Sequence, residues 1–250
     1  MTSAARQARA ADRGATPWRV LRRAVLAILV ACLALAVFAA ALLATLPMSV
    51  LTPLAALPPQ VEALEGRLAE GRARLSGGLV LDWRAEPAAL LSGALAVRLV
   101  LVGPATRLDG RLRADPFGVA LEGIEGRAGS EALALVPGAP QCSGVRAVVA
   151  VERLAWAWRG AASAGGGATV EPGTCTGPGG ETLEVPAMRL AFGTEGPDAT
   201  ARLLREDDGA ALAEARVGGD RRLALRLEPE GAALVPGLPR GGPMILELPF

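Results

Sequence analysis

Residues able to carry chemistry are scarce in this chain of 250 residues, and three cysteines head them: Cys32, Cys142 and Cys175. Neither Cys142 nor Cys175 sits in a CxxC pair, which argues against a redox dithiol or a zinc site. In an oxidising compartment the two would form one disulfide, closing a loop that stabilises by about 3–4 kcal/mol in the chain-entropy model; a pair of free thiols is the alternative. There is no histidine. The commonest general base and metal ligand is therefore missing, and no Ser-His-Asp or Cys-His nucleophile can be assembled. No GxxxxGK[ST] loop and no strand-to-helix GxGxxG unit occurs, so nothing cradles a phosphate.

The remaining polar clusters read as structure. Asp207 and Asp208, beside Glu206 and before Gly209, have the composition of a solvated hairpin turn. Asp82 beside Trp83 fits the polar face of a strand. Trp156 and Trp158, two residues apart, share a strand face. They are either core or an exposed platform for a partner. The expected catalytic, cofactor and metal sets are thus empty, with Cys142 and Cys175 the candidate disulfide and Trp156 and Trp158 the candidate docking residues. An enzyme would need a carboxylate-only or serine-based site.

Ala24 to Leu46 runs 23 residues without a charge. As a helix it extends roughly 34 Å, enough for a hydrocarbon core of about 30 Å. Arg6, Arg9, Arg13, Arg19, Arg22 and Arg23 precede it against Asp12 alone, a charge of +5, leaving −4 for the rest of a chain whose net charge is +1. That asymmetry predicts a cytoplasmic N-terminus and an exported C-terminal part. A cleaved signal peptide has a shorter apolar core, and its small-x-small site would fall inside the run at Ala39-Ala40-Ala41. Arg22-Arg23 has no twin-arginine context beyond the dipeptide. The chain also lacks lysine, tyrosine and asparagine, as a GC-rich bacterial gene would. A mildly acidic exported part argues against nucleic acid as a partner.

Pro47, Pro53, Pro58 and Pro59 forbid a continuing helix and predict an extended stalk over residues 47–60. Short apolar segments of period two follow, broken by glycine, proline and aspartate. Strands are expected at 72–84, 90–102, 106–113, 118–125, 145–159, 182–192, 199–205, 211–217, 221–228 and 244–248, with a helical turn at Leu90-Leu91. Residues 160–180, rich in Gly, Ala, Ser and Thr, read as a long mobile loop. The fold class is an all-β periplasmic domain, a curved antiparallel sheet or a sandwich of short strands, behind a single N-terminal transmembrane helix. The organisation is a basic stub at 1–23, the helix at 24–46, the stalk at 47–60 and the β-rich domain at 61–250. The alternating end, Leu246, Leu248 and Phe250, looks like an outer-membrane barrel, but 3% aromatic residues cannot supply the girdles.

The order of these features carries a family resemblance. A basic N-terminus and a helix ending in Leu46-Pro47 precede Leu57-Pro58-Pro59 and the run from Val61 to Ala73. Leu81-Asp82-Trp83-Arg84, Pro87, Leu90-Leu91-Ser92-Gly93 and Leu101-Val102-Gly103-Pro104 follow. This resembles the protein N component of the bacterial type II secretion system. Gly66, Leu68, Gly71 and Ala73 fit that family's signature, while Arg67 and Ala69 stand in place of its threonine and tryptophan. The resemblance implies a non-catalytic accessory subunit in the inner membrane, single-pass, with its C-terminal domain periplasmic. Its partners would be other secretion-system subunits, and the bilayer through Ala24 to Leu46. A different class stays open: an AsmA-like envelope protein that handles lipid in an apolar β-sheet groove.

Overall fold

Alternation of apolar and charged residues, punctuated every 8 to 12 residues by turn formers, specifies hairpin after hairpin. The computed structural model follows that pattern and describes residues 17–48, 57–136, 139–177, 180–234 and 242–249, without the side chains of 17–20, 36, 39, 40, 43 and 44. Arg6, Arg9 and Arg13, the middle of the proline segment and Phe250 lie outside the described residues. The chain divides into two units, Met1–Leu46 and Pro47–Phe250.

The first unit holds one helix, α1 (Pro17–Thr45). Its described apolar side chains are exposed, with Ile28, Leu33 and Leu35 at 63%, 65% and 68%. The hydroxyl of Thr45 donates back to the Ala41 carbonyl at 2.9 Å, so it leaves no free polar group. Counting only the described residues, no helix is long and apolar enough to cross a membrane. Five positions of the uncharged run from Ala24 to Leu46, namely 36, 39, 40, 43 and 44, have side chains outside that description.

The second unit is built on one antiparallel sheet of 13 strands. Six come first: β1 (Val61–Gly66), β2 (Glu70–Leu75), β3 (Leu79–Ala85), β4 (Leu95–Val102), β5 (Arg107–Asp115) and β6 (Gly118–Gly129). The central hairpin is β8 (Arg146–Ala157) and β9 (Ala161–Val170). Then follow β12 (Met188–Glu195), β13 (Asp198–Arg205), β14 (Ala211–Val217), β15 (Arg222–Leu227) and β16 (Met244–Pro249). Neighbours in the sheet are neighbours in the chain except where β7 (Gln141–Ser143), β10 (Gly173–Thr176) and β11 (Thr182–Val185) leave to form a small sheet in the order β11-β10-β7. Of the two expected arrangements, the curved sheet is the one formed.

Several segments differ from the sequence reading: Val61–Gly66 and Gln141–Ser143 are strands it did not place, the strand expected at 90–102 begins at Leu95, and three more differ for local reasons. Residues 72–84 make two strands, because Gly77 takes a φ of 77° and turns the chain between Leu75 and Leu79. Residues 160–180 contain β9 and β10 in place of a mobile loop. Their small side chains are what the position demands: a Cβ on Gly167 would stand 2.5 Å from the Leu190 carbonyl of the neighbouring strand. Residues 182–192 divide between the two sheets at Pro186. The expected turn at Leu90-Leu91 is a 3-10 turn, Pro87–Ser92. The described ends of the proline segment are tied to the β domain: Pro47 bridges Arg67, Met48 is buried, and Val61 N–H donates to the Pro58 carbonyl at 2.9 Å.

Two leucines are wholly buried. Leu79 begins β3 and sits under a 3-10 turn, Ser130–Leu135. Leu212, at the start of β14, lies beneath α2 (Pro229–Ala233), where a Cβ on Gly231 would come 2.0 Å from the Leu212 carbonyl.

Candidate binding surface

The register sorts side chains onto two unlike faces, because side chains alternate along every strand. One row runs Leu81, Leu101, Leu108, Gly126, Val149, Ala168, Leu190, Leu203, Ala213, Leu227 and Met244, crossing from β3 to β16 without a charge. The opposite face carries ion pairs, three of those below between neighbouring strands and one, Arg111 with Glu86, reaching from β5 to the residue after β3. Arg72 reaches Asp82 at 2.6 Å, Arg74 reaches Glu65 at 2.9 Å, Arg111 reaches Glu86 at 2.5 Å and Arg216 reaches Asp198 at 2.8 Å. Such exposed, solvent-screened pairs add little to stability. Their larger effect is to keep that face wet and unsuited to stacking on another sheet.

The apolar face is concave. Seven neighbouring strands laid flat would span roughly 29 Å at the usual spacing, yet residues from β5 to β14 line one trough of about 430 Å³. Ala162, Ala164, Ala201 and Ala215 leave the space, and Leu121, Leu154, Trp156 and Phe192 wall it. Gly166 helps to form the bend. It holds φ at 98°, and a Cβ there would stand 2.4 Å from the Ala150 carbonyl. Beyond it β9 and β12 stop pairing directly. The Thr194 hydroxyl replaces the ladder, accepting from Ala164 N–H and donating to the Ala164 carbonyl, both at 2.9 Å.

The two tryptophans occupy different settings. Trp156 is half-buried in β8, opposite Val119, and lines the trough. Trp158 lies one residue past the end of β8 and is 53% exposed. Its indole Nε1 donates to the Asp115 carbonyl at 3.2 Å, and its backbone N–H donates to the Phe117 carbonyl at 2.9 Å. Trp158 is thus fixed to the neighbouring turn instead of extending the strand face of Trp156.

Cys142 and Cys175 are directly opposed in β7 and β10 and bonded as a disulfide. The bond clamps the open end of the β8–β9 hairpin, whose ladder stops at Ala147 and Val170. Asp207 and Asp208 form the β13–β14 turn: Asp208 accepts Ala210 N–H at 3.0 Å and pairs with Arg205 at 3.0 Å. The backbone hydrogen bond from Ala210 holds the Asp208 carboxyl below its ordinary range, with burial opposing and Arg205 assisting. Among the described residues no group of three Cys, Asp or Glu could hold a metal ion.

The sheet has two outer edges, and they differ. The β1 edge carries Glu62 and Glu65. The β16 edge reads Met244-Ile245-Leu246-Glu247-Leu248-Pro249, with Ile245 64% and Leu248 49% exposed. Among the described residues β16 pairs with β15 alone. Sequence alternation located this strand but gave no sign that it ends the sheet.

The fold and its surfaces define an antiparallel meander protein, with one apolar concave face, one ion-paired face and, among the described residues, an edge strand β16 paired on one side only. No protein-family model, curated protein or solved structure matches the chain.

Proposed function

We propose that this chain is a non-catalytic, single-pass inner-membrane accessory subunit of the type II secretion machinery, binding partner proteins through its periplasmic β domain. The observation that carries the reading is the amphipathic sheet, whose β16 edge is unpaired among the described residues, behind a helix whose described side chains from Ala24 onward are uncharged and exposed. An uncharged, exposed helical stretch of this kind finds its burial in a bilayer or a partner. An exposed edge with one charge in six residues takes a strand from another β domain by main-chain hydrogen bonds, with side-chain pockets setting specificity. The sequence resemblance supplies the machinery to which the partners belong.

A second reading draws support from the trough. An apolar channel floored by alanines suits an acyl chain, as in a lipid-handling envelope protein. One experiment separates the two: in-cell photocrosslinking from position 248, with mass spectrometry of what is captured, lipids included. Recovery of secretion-system subunits supports the first reading. Phospholipid without those subunits moves the assignment to lipid handling, and an Ala164→Trp chain, whose trough is filled, should then lose the lipid.

A further inference from the structure

The hairpin turns divide between the two ends of the sheet, and the ends are chemically unlike. At one end lie the β1–β2 turn, the Pro87–Ser92 turn between β3 and β4, and the turns joining β5 to β6, β8 to β9, β12 to β13 and β14 to β15. This end carries bare apolar tips: Leu68 44%, Leu90 57%, Leu91 94%, Phe117 75% and Trp158 53% exposed. At the opposite end the described turns offer one such residue, Val136 at 56%. Phe117 is held outward by design of its turn, since Asp115 Oδ1 accepts the N–H groups of Phe117 and Gly118 at 2.8 and 3.0 Å.

Charge follows the same division. Glu70, Glu86, Asp115, Glu195, Asp198 and Asp220, at the apolar end, are each paired with an arginine. Arg67, Arg159 and Arg221 in the turns there form no ion pair among the described residues. Arg221 keeps its place at a φ of 64°, in the left-handed region that favours glycine. The chain also enters the β domain here. Pro47, which follows the uncharged run directly, bridges Arg67 in the β1–β2 turn.

We propose that this end of the β domain rests on an anionic phospholipid bilayer, with Leu68, Leu90, Leu91, Phe117 and Trp158 entering the interface and Arg67, Arg159 and Arg221 meeting lipid phosphates. The inference rests on the membrane-anchor reading for its geometry. Pro47, the first residue of the β unit, lies at this end. Exposed tryptophan, phenylalanine and leucine backed by arginine form the combination that lies in a headgroup layer. Paired carboxylates add no net repulsion to an anionic surface.

The test uses the full chain carrying Cys32→Ala, with a single Leu91→Cys or Val136→Cys labelled by a polarity-sensitive fluorophore. It is reconstituted in phosphatidylglycerol–phosphatidylethanolamine vesicles. Position 91 should shift to the blue and lose most of its emission to spin-labelled lipid, while position 136 keeps its aqueous spectrum. Arg159→Gln with Arg221→Gln should restore much of the emission at 91, as should vesicles without phosphatidylglycerol. An aqueous label at 91 in a chain that survives carbonate washing would overturn the proposal and leave the anchor standing. A quenched label at 91 in a chain that carbonate releases would sustain the proposal and remove the anchor. A label at 91 that shifts only when a partner protein is added would overturn the bilayer as the occupant.

Discussion

Removing the disulfide tests whether the centre of the sheet is held by its ladder alone. Cys142 and Cys175 are separated by 33 positions, and the chain between them is the β8–β9 hairpin at the middle of the 13 strands. In the chain-entropy model a loop of that length stabilises by roughly 3–4 kcal/mol at 25 °C. If the unit Pro47–Phe250 unfolds as one, an unfolding entropy of about 2.1 cal/mol/K per residue over roughly 200 residues converts this into a fall in Tm of about 8 °C. The measurement is thermal unfolding of the full chain followed by circular dichroism, for the native protein and for Cys142→Ala with Cys175→Ala. Alkylation with mass detection controls the starting state. Cys32 alone should react before reduction, and all three cysteines after it. Midpoints within about 2 °C of each other would refute the reasoning, because the cross-link would then constrain only a small sheet that melts separately.

Four further outcomes follow from single contacts. Gly71→Ala should cost about 1–3 kcal/mol by denaturant titration, since its Cβ would stand 2.3 Å from the Trp83 ring and 2.6 Å from the Glu65 carbonyl. Trp158→Ala should change stability by less than about 1 kcal/mol, whereas Trp156→Ala, which opens the trough wall, should cost about 2–3 kcal/mol. Burial pushes the Glu131 carboxyl up, but hydrogen bonds from its own N–H, from Ala105 N–H at 2.6 Å and from Thr106 outweigh it and hold it below the ordinary range. Its stabilisation is therefore complete above the unfolded pKa of about 4.3 and is lost as pH falls through the lower folded value. Glu131→Gln should be less stable at neutral pH and lose less on acidification. Arg221→Gly should raise stability by about 1 kcal/mol by relieving the left-handed backbone, while weakening attachment to anionic vesicles.

The meander was legible because period-two alternation and turn residues are local signals. Alternation alone places Ala211–Val217 to the residue, and composition alone marks Asp207-Asp208-Gly209 as a turn. β9 escaped because Ala161-Ala162-Ser163-Ala164-Gly165-Gly166-Gly167 has no hydrophobic period. Its strand character comes from its neighbours, β8 and β12, which a sequence does not display. The cysteine pairing was readable as a possibility, and only the β7–β10 register places the two thiols opposite each other. The trough was invisible for a similar reason. Ala162, Ala201 and Ala215 are distant in sequence and meet only through sheet order and curvature.

A single sheet layer leaves one apolar face without the second layer that domains normally use to bury it, so its coverage must come from elsewhere. The two wholly buried leucines indicate where internal coverage is complete. Leu79 and Leu212 lie at the same end, one beneath the Ser130–Leu135 turn and one beneath α2. Toward the other end the buried positions besides Met48 are mostly alanines, of which Ala162 lies on the apolar face, and the large apolar residues of the turns stand bare. The trough residues Val119, Trp156 and Val217 lie one or two positions from those turns. One end is therefore closed by the chain itself, while the end at which the chain enters is left for another surface to complete. The same polarity explains why alanine, which packs a sheet tightly without filling a trough, occurs along β9, β13 and β14.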